Sequence, residues 1–127
     1  MSIAMKRVYE GPGEGDGYRV LVDRLWPRGI SKEKARIDEW IKDAAPSDEL
    51  RKSYHSGKLG WEDFREQYLR ELEKCRHMLV PVAELALKQR VTLVFSSREE
   101  KYNNAAVLKE YLEDLGVNKQ KTLPEHG

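Results

Sequence analysis

Two short, largely apolar runs constrain the fold of this chain more than any other feature. They occupy residues 18–22 (YRVLV) and 91–95 (VTLVF), where β-branched and aromatic residues follow one another without regular alternation. Strands that are covered on both faces, as in parallel sheets, show this pattern. Residues 3–9 alternate at short range and predict a third strand. We therefore expect a sheet in which the two apolar runs are buried on both faces.

Segments with helical spacing separate these runs. Four apolar side chains recur every three or four residues, which places them on one face of an amphipathic helix. They are Trp61, Phe64, Tyr68 and Leu72. Capping and turn residues predict further helices over residues 31–35, 46–55, 81–88 and 103–116. Gly116 is expected to stop the last helix. Residues 36–45 fit a helical face and strand alternation equally well, so they stay unassigned.

Strands that alternate with helices predict an α/β fold. We expect a small, mostly parallel sheet with helices packed on it, in a Rossmann-like arrangement of three layers. The chain has 127 residues, which is the length of one domain. Residues 1–116 are therefore expected to form a single α/β domain, and residues 117–127 a polar C-terminal tail.

Composition narrows the classes of function. Cys75 is the only cysteine, so no disulfide can form within the chain, and a reducing compartment is expected. No apolar run approaches the roughly 20 residues that span a bilayer, and residues 1–10 lack the apolar centre of a signal peptide. We expect a cytoplasmic protein without a membrane partner. Since 23 Lys and Arg residues nearly balance 22 Asp and Glu residues, nucleic-acid binding would need a local basic patch.

Arginines follow both apolar runs. Arg24 and Arg28 come after the first run, and Arg98 comes after the second. In open parallel sheets, ligands bind in the crevice beyond the carboxyl ends of the strands. Asn103 and Asn104 open the next helix, whose free backbone N–H groups favour an anion. The sequence therefore predicts a pocket for a phosphate or a carboxylate, with the arginines as charge receptors and the asparagines orienting the ligand.

The arginines also have a purely structural explanation. Arg24 and Arg28 could pair with nearby carboxylates and merely brace a loop, because paired surface charges are common and individually weak. The candidate carboxylates are those of Asp23, Glu33 and Asp38. The sequence favours neither explanation over the other.

Trp26 stands beside Pro27, between two arginines, and allows two interpretations. Its ring could form a stacking floor for a nucleobase or a sugar, because aromatic faces accept planar groups and cations. Packing in the core explains this residue at least as well. Trp40 and Trp61 lie among apolar neighbours and are assigned to packing.

Arg51 and His55 lie four residues apart on a predicted helix and hence on one face. There the imidazole of His55 could handle a proton beside an anion that Arg51 and Ser97 help to bind, so the hypothesis of hydrolysis or transfer at the anionic group arises. Histidines more often cap a helix or bond to the backbone than catalyse. No metal or cofactor is expected, because Cys75 and His77 are poorly spaced as metal ligands and no phosphate-binding glycine motif occurs.

Four blocks of the sequence carry a resemblance to a known family. They are KRVY at residues 6–9, DGYRVLVDRLWPRG at 16–29, APS at 45–47 with LR at 50–51, and NNA at 103–105. Together they resemble the YeaO-like family of uncharacterised bacterial and archaeal proteins, a domain of unknown function numbered 488. The resemblance covers about residues 3–115 and implies a compact α/β domain, but no established activity, substrate or cofactor. More distant relatives tend to carry cysteine and histidine where this chain has Asn103 and Asn104, which counts against thiol or metal chemistry.

Three hypotheses follow for the function. The leading one is a small-molecule site for a phosphate- or carboxylate-bearing ligand. The second is nucleic-acid binding, in which the same arginines contact phosphates and Trp26 stacks on an exposed base. The near-neutral net charge makes it the weaker of the two. The third is a non-catalytic interaction module that uses exposed aromatic residues such as Tyr54, Tyr102 or Tyr111 in contacts with a partner or with a second copy.

Overall fold

A parallel sheet forms the centre of the molecule. The computed structural model describes residues 1–122, with four strands: β1 (Ser2–Arg7), β2 (Tyr18–Leu21), β3 (Glu39–Trp40) and β4 (Arg90–Phe95). Their order is β1-β4-β2-β3, and every pair of neighbours is parallel. The predicted α/β class is confirmed, and the two apolar runs occupy the two central strands. The unassigned segment supplies the short edge strand β3.

Five α-helices surround this sheet within residues 1–122. They are α1 (Lys32–Ala35), α2 (Asp48–His55), α3 (Trp61–Lys74), α4 (Arg76–Ala86) and α5 (Asn104–Thr122). Ser31 and Ser47 cap α1 and α2 as expected, because each side chain accepts a hydrogen bond from a backbone N–H in the first turn. None of the helices described is long and apolar enough to cross a membrane.

The start of α4 differs from the prediction. The helix begins at Arg76, and Pro81 lies inside it instead of opening it. Proline removes one backbone hydrogen bond from a helix interior. Leu79 and Val82, on either side of Pro81, are fully buried in the core. Their packing stabilises the helix on both sides of Pro81. Because this packing involves residues distant in the sequence, the local pattern around Pro81 could not predict it.

The predicted end of α5 is also wrong, since the helix passes Gly116 and continues to Thr122. A Cβ atom at position 116 would meet the end of the Met1 side chain, which is flexible and could move aside. Gly116 therefore lies within the helix and does not serve as a stop. Of the predicted polar tail, residues 117–122 continue α5, and residues 123–127 lie outside the described residues.

The two faces of the sheet are covered unequally. On one face, side chains such as Val20 and Leu93 belong to a large core shared with α3, α4 and α5. On the other face, Leu21 and Val94 pack against Ala35 of α1 and the loop around it. One layer thus consists of long helices, whereas the third layer consists of a single helical turn and its loops.

A buried ion pair lies on the thinner side of the sheet. Arg19 is 4% exposed, and its Nη1 donates a hydrogen bond to Asp16 Oδ2 at 2.5 Å. Arg19 Nη2 donates to the carbonyl oxygen of Ala35 in α1 at 2.9 Å. Asp16 also accepts from Lys6 Nζ at 3.2 Å and from the N–H of Gly13 at 2.9 Å. Because a charge that leaves water needs close and complete pairing, this arrangement fixes α1 against β2.

Replacing Asp16 by asparagine should lower the free energy of unfolding by about 3 kcal/mol, because Arg19 then stays buried without its counter-charge. Burial raises the pKa of the Asp16 carboxyl, but hydrogen bonds from Gly13, Lys6 and Arg19 outweigh this effect and bring the pKa below its ordinary value of 3.8. The unfolded state therefore takes up this proton first as the pH falls. The stability that Asp16 contributes above pH 3.8 is lost as the pH falls through the pKa of the folded state.

Urea denaturation of the wild type and of Asp16→Asn at pH 7 and at pH 3 measures both effects. The difference in unfolding free energy between the two proteins should be smaller at pH 3. The control is Glu14→Gln, which removes an exposed carboxylate from the same turn and should change stability by less than about 0.5 kcal/mol. An Asp16→Asn protein as stable as this control would contradict the role of the ion pair.

Candidate functional site

A cleft of about 720 Å³ lies beyond the carboxyl ends of the strands. Each strand contributes the segment that follows it: Tyr9 after β1, residues 23–28 after β2, residues 45–46 after β3 and residues 96–99 after β4. Side chains of α2 and of the start of α5 line the cleft as well. This is the position at which open parallel sheets bind their ligands.

Every residue that the sequence predicted as a ligand contact or as a proton carrier lines this cleft. These residues are Arg24, Trp26, Arg28, Arg51, His55, Ser97, Arg98, Asn103 and Asn104. They converge because β2 and β4 are parallel neighbours, so their following loops leave the same edge of the sheet. Contact with a ligand stays a prediction for all of them.

Asp23 connects the segments that form the floor of the cleft. Its Oδ2 accepts hydrogen bonds from the N–H of Ser96 at 2.9 Å and from Ser96 Oγ at 2.6 Å. Its Oδ1 accepts from Asn104 Nδ2 at 3.1 Å, and its carbonyl oxygen accepts from Trp40 Nε1 at 2.6 Å. One carboxylate therefore joins the ends of β2 and β4 to the first turn of α5. The sequence suggested Asp23 only as a partner for an arginine, and it makes no ion pair within the described residues.

The two asparagines at the start of α5 are both used inside the protein. Asn103 is 4% exposed; its Oδ1 accepts from the N–H of Ala106 at 2.9 Å, and its Nδ2 donates to the carbonyl oxygen of Glu99 at 2.6 Å. Asn103 is therefore the predicted cap of α5. Asn104 Nδ2 donates to the carbonyl oxygen of Val22 as well as to Asp23, both at 3.1 Å. These bonds hold the first turn of α5 against the end of β2.

Arg24 matches the structural explanation in part, but with a different partner from those that the sequence suggested. Its Nη2 donates to the carbonyl oxygens of Ala45 and Pro46, both at 3.3 Å, and its Nε lies 3.9 Å from Asp48 Oδ1. Arg51 Nη2 reaches the same carboxylate oxygen at 3.3 Å. Arg24 Nε is the only buried side-chain nitrogen or oxygen without a hydrogen-bond partner within the described residues. Arg24 thus braces the start of α2 and keeps unused capacity to donate.

Arg28 and Arg98 are exposed side chains, and neither forms an ion pair within the part of the chain that the structure describes. Asp23, the nearest acidic residue in the chain to Arg24, already accepts three hydrogen bonds through its carboxylate. Positive charge therefore exceeds negative charge around the cleft, although the whole chain carries a formal net charge of only +1. Guanidinium groups suit phosphate and carboxylate because their N–H groups match the spacing of two oxygens.

One side of the cleft is an aromatic wall, formed by Tyr54, Phe64 and Tyr102. The rings of Tyr54 and Phe64 are stacked, with centroids 4.4 Å apart and planes inclined by 22°. The hydroxyl of Tyr54 donates to the carbonyl oxygen of Tyr102 at 3.0 Å. Burial raises the pKa of the Tyr54 phenol, and the nearby charge of Glu99 adds to the shift, so the hydroxyl keeps its proton. The sequence indicated Tyr54 and Tyr102 only as contacts with a protein partner or with a second copy.

Two aromatic residues depart from the predictions. Tyr111, expected as an exposed contact, is 8% exposed, and its hydroxyl donates to Glu73 Oε2 at 2.6 Å. It lies on the face of α5 that enters the core. Trp40, assigned to packing, is 36% exposed because β3 is an edge strand with a neighbour on one side only. Helical spacing places Tyr111 on the apolar face of α5, in agreement with its burial, whereas the exposure of Trp40 could not be predicted from its apolar neighbours in the sequence.

Trp26 combines the two roles that the sequence left open. It packs against the smaller core beside Leu21, with its Nε1 donating to the carbonyl oxygen of Ile30 at 2.7 Å, and it also lines the cleft. Its ring meets that of Trp40 edge to face at 5.6 Å. His55 is exposed at the end of α2, with its ring 6.1 Å from that of Tyr54. Its imidazole makes no hydrogen bond within the described residues that would orient it as an acid or a base.

The fold and the cleft define a small parallel α/β protein with a basic and aromatic depression at the strand ends. The family model described as "Inactive DUF488-N3 subclade" matches residues 2–125, so the chain belongs to this family and the resemblance seen in the sequence is confirmed.

Relatives of known sequence cover most of the chain. It is 46% identical over 115 residues to "Uncharacterized protein YeaO" of Escherichia coli K12, which spans 91% of this chain and 100% of the relative. It is 40% identical over 110 residues to "Uncharacterized protein Rv3073c" of Mycobacterium tuberculosis H37Rv, which spans 87% of this chain and 92% of the relative. No solved structure matches the chain significantly.

Asp23→Asn tests the connection at the floor of the cleft. The substitution puts an amide nitrogen where three donors converge, so at least one hydrogen bond to a charged acceptor is lost and the free energy of unfolding should fall by about 2 kcal/mol. Urea denaturation measures the loss. Asp114→Asn, which neutralises an exposed carboxylate on α5, is the matched control and should change stability little. Equal stabilities of the two variants would show that Asp23 does not hold the floor.

Proposed function

We propose that this protein binds a small organic anion, carrying a phosphate or a carboxylate, in the cleft at the strand ends. Arg28 and Arg98 are the principal charge receptors, and Arg24 and Arg51 add donors from the side of α2. The observation that carries the proposal is the exposure of Arg28 and Arg98 in one cleft, without an ion pair to another described residue.

The size of the cleft supports an organic ligand over a bare inorganic ion. Its volume of about 720 Å³ falls within the roughly 300–1,000 Å³ that small-molecule sites occupy. A single phosphate would contact only the arginines and leave the aromatic wall in water. The ligand is therefore an anionic group attached to a larger body.

Binding without turnover is the form of the function that we favour. The family to which the chain belongs is described as inactive. A general acid or base works best when a second group orients it, and His55 has no such partner within the described residues. His55 then serves as a polar contact at the rim of the cleft. Hydrolysis or transfer at the anionic group, with His55 carrying the proton, is the alternative.

A thermal-shift screen against sugar phosphates, nucleotides and di- and tricarboxylates tests the binding proposal. A ligand at a hundredfold excess over its Kd stabilises the native state by about 2.7 kcal/mol and raises the Tm. Arg28→Ala and Arg98→Ala should each raise the Kd of the best ligand by about tenfold in calorimetric titration, because each removes a charged hydrogen bond.

Arg76→Ala is the control for these variants. Arg76 is exposed at the start of α4, pairs with Glu73 and lies outside the cleft. The Arg76→Ala substitution removes one positive charge, as Arg28→Ala and Arg98→Ala do. It therefore distinguishes a local loss of binding from the effect of net charge. The proposal fails if no compound raises the Tm, or if all three variants weaken binding equally.

His55→Gln tests the absence of turnover. Phosphorus NMR of the best organic phosphate, incubated overnight with wild-type protein, should show an intact ligand. The variant should bind it within about threefold of the wild type, since an exposed polar contact contributes little. Accumulation of inorganic phosphate with the wild type but not with His55→Gln would instead establish a hydrolase.

A further inference from the structure

We infer that the ligand is a mononucleotide, with its base stacked on the aromatic wall and its phosphate among the arginines. This inference rests on the proposed function and narrows it to one class of ligand. It follows from the way in which the cleft combines two chemically different sets of side chains, one cationic and one aromatic.

The aromatic wall is fixed before any ligand arrives. Phe64 is 2% exposed and anchored in the core, Tyr54 is stacked on it, and the Tyr54 hydroxyl ties the wall to the backbone of Tyr102. Trp61 supports Tyr102 from the side, with ring centroids 5.2 Å apart. A planar group that stacks here gains contact area while the side chains lose little freedom. Such a surface suits a heteroaromatic ring better than a flexible chain.

Exposed aromatic rings at the edge of the cleft also favour a ligand with a heteroaromatic ring. Tyr102 is 40% exposed and Tyr9 is 47% exposed, and both line the cleft. The cation of Arg7 lies over the Tyr9 ring at 5.3 Å, and that of Lys101 lies over the Tyr102 ring at 5.0 Å. A sugar phosphate or an aliphatic carboxylate would leave the remaining surface of these rings in contact with water. A base covers one of them, because every nucleobase has a π-face that stacks on an aromatic side chain.

The cationic set favours a phosphate over a carboxylate as the anionic group. Arg24, Arg28, Arg51 and Arg98 come from three different segments, so their donors approach from several directions. A phosphate monoester carries nearly two negative charges near neutral pH and presents three terminal oxygens to such a set. A carboxylate carries one charge and two oxygens in a single plane, which one guanidinium can satisfy.

Calorimetric titration with four probes tests the inference: adenosine 5′-monophosphate, uridine 5′-monophosphate, ribose 5-phosphate and inorganic phosphate. Both nucleotides should bind at least about tenfold more tightly than ribose 5-phosphate, since stacking on an aromatic residue contributes that much per base. The base contacts the aromatic wall and the phosphate contacts the arginines. Inorganic phosphate makes only the second set of contacts, so it should bind most weakly.

Substitutions at Tyr102 test the contribution of base stacking separately from that of anion binding. Tyr102→Leu should remove most of the advantage of the nucleotides and leave the affinity for ribose 5-phosphate unchanged, whereas Tyr102→Phe should retain the advantage. The Tyr102 side chain is exposed, and only its backbone oxygen accepts the bond from Tyr54, so both variants keep that contact. Arg98→Ala should weaken nucleotides and ribose 5-phosphate by the same factor.

The outcomes distinguish this inference from the proposed function. If the nucleotides and ribose 5-phosphate bind equally, anion binding stands and the mononucleotide is overturned. If none of the probes binds, and no other anion does, both fail. A single-stranded oligonucleotide is the remaining probe. If the oligonucleotide binds with an affinity that falls steeply with salt, and the free nucleotides do not bind, the ligand is a nucleic acid and the mononucleotide is overturned.

Discussion

Three hydrogen-bond donors from two separate segments converge on the carboxylate of Asp23, and the shape of the cleft depends on this convergence. The backbone connection between β2 and β4 ends with the hydrogen bond from the N–H of Val22 to the carbonyl oxygen of Val94. Beyond it, the Asp23 carboxylate continues the connection, reaching Ser96 after β4 and Asn104 at the start of α5. The arginines beside it therefore extend from a floor that is held together by a partly buried carboxylate.

The charges of the cleft make sense only in relation to this floor. In an ordinary loop, an acidic residue next to Arg24 would neutralise it. Here the Asp23 carboxylate is occupied by uncharged donors, and Arg24 turns to the carbonyl oxygens before α2. A chain that is nearly neutral as a whole thus carries a local excess of guanidinium groups. Fields of this kind draw anions towards a cleft without making the whole surface adhesive for nucleic acid.

The parts of this structure that followed from the sequence are those set by short-range pattern and by the geometry of parallel sheets. The apolar runs gave the central strands, and parallel strand ends gave the convergence of Arg24 and Arg98. The parts that did not follow depend on contacts between distant residues. Core packing explains the proline within α4, and α5 continues past Gly116 although the local sequence pattern predicted a stop there. The aromatic wall belongs to this second group, because it joins α2, α3 and the loop before α5.

The position of α5 links the cleft to the rest of the molecule. Its first turn lines the cleft, and its body packs against β1, β4, α3 and α4. Movement of the cleft floor would therefore have to shift the longest helix across the main core, which close packing resists. The shape of the cleft is accordingly set by the packing of the core. A ligand of the proposed kind would meet a fixed surface, and discrimination against compounds of the wrong shape would come from steric exclusion.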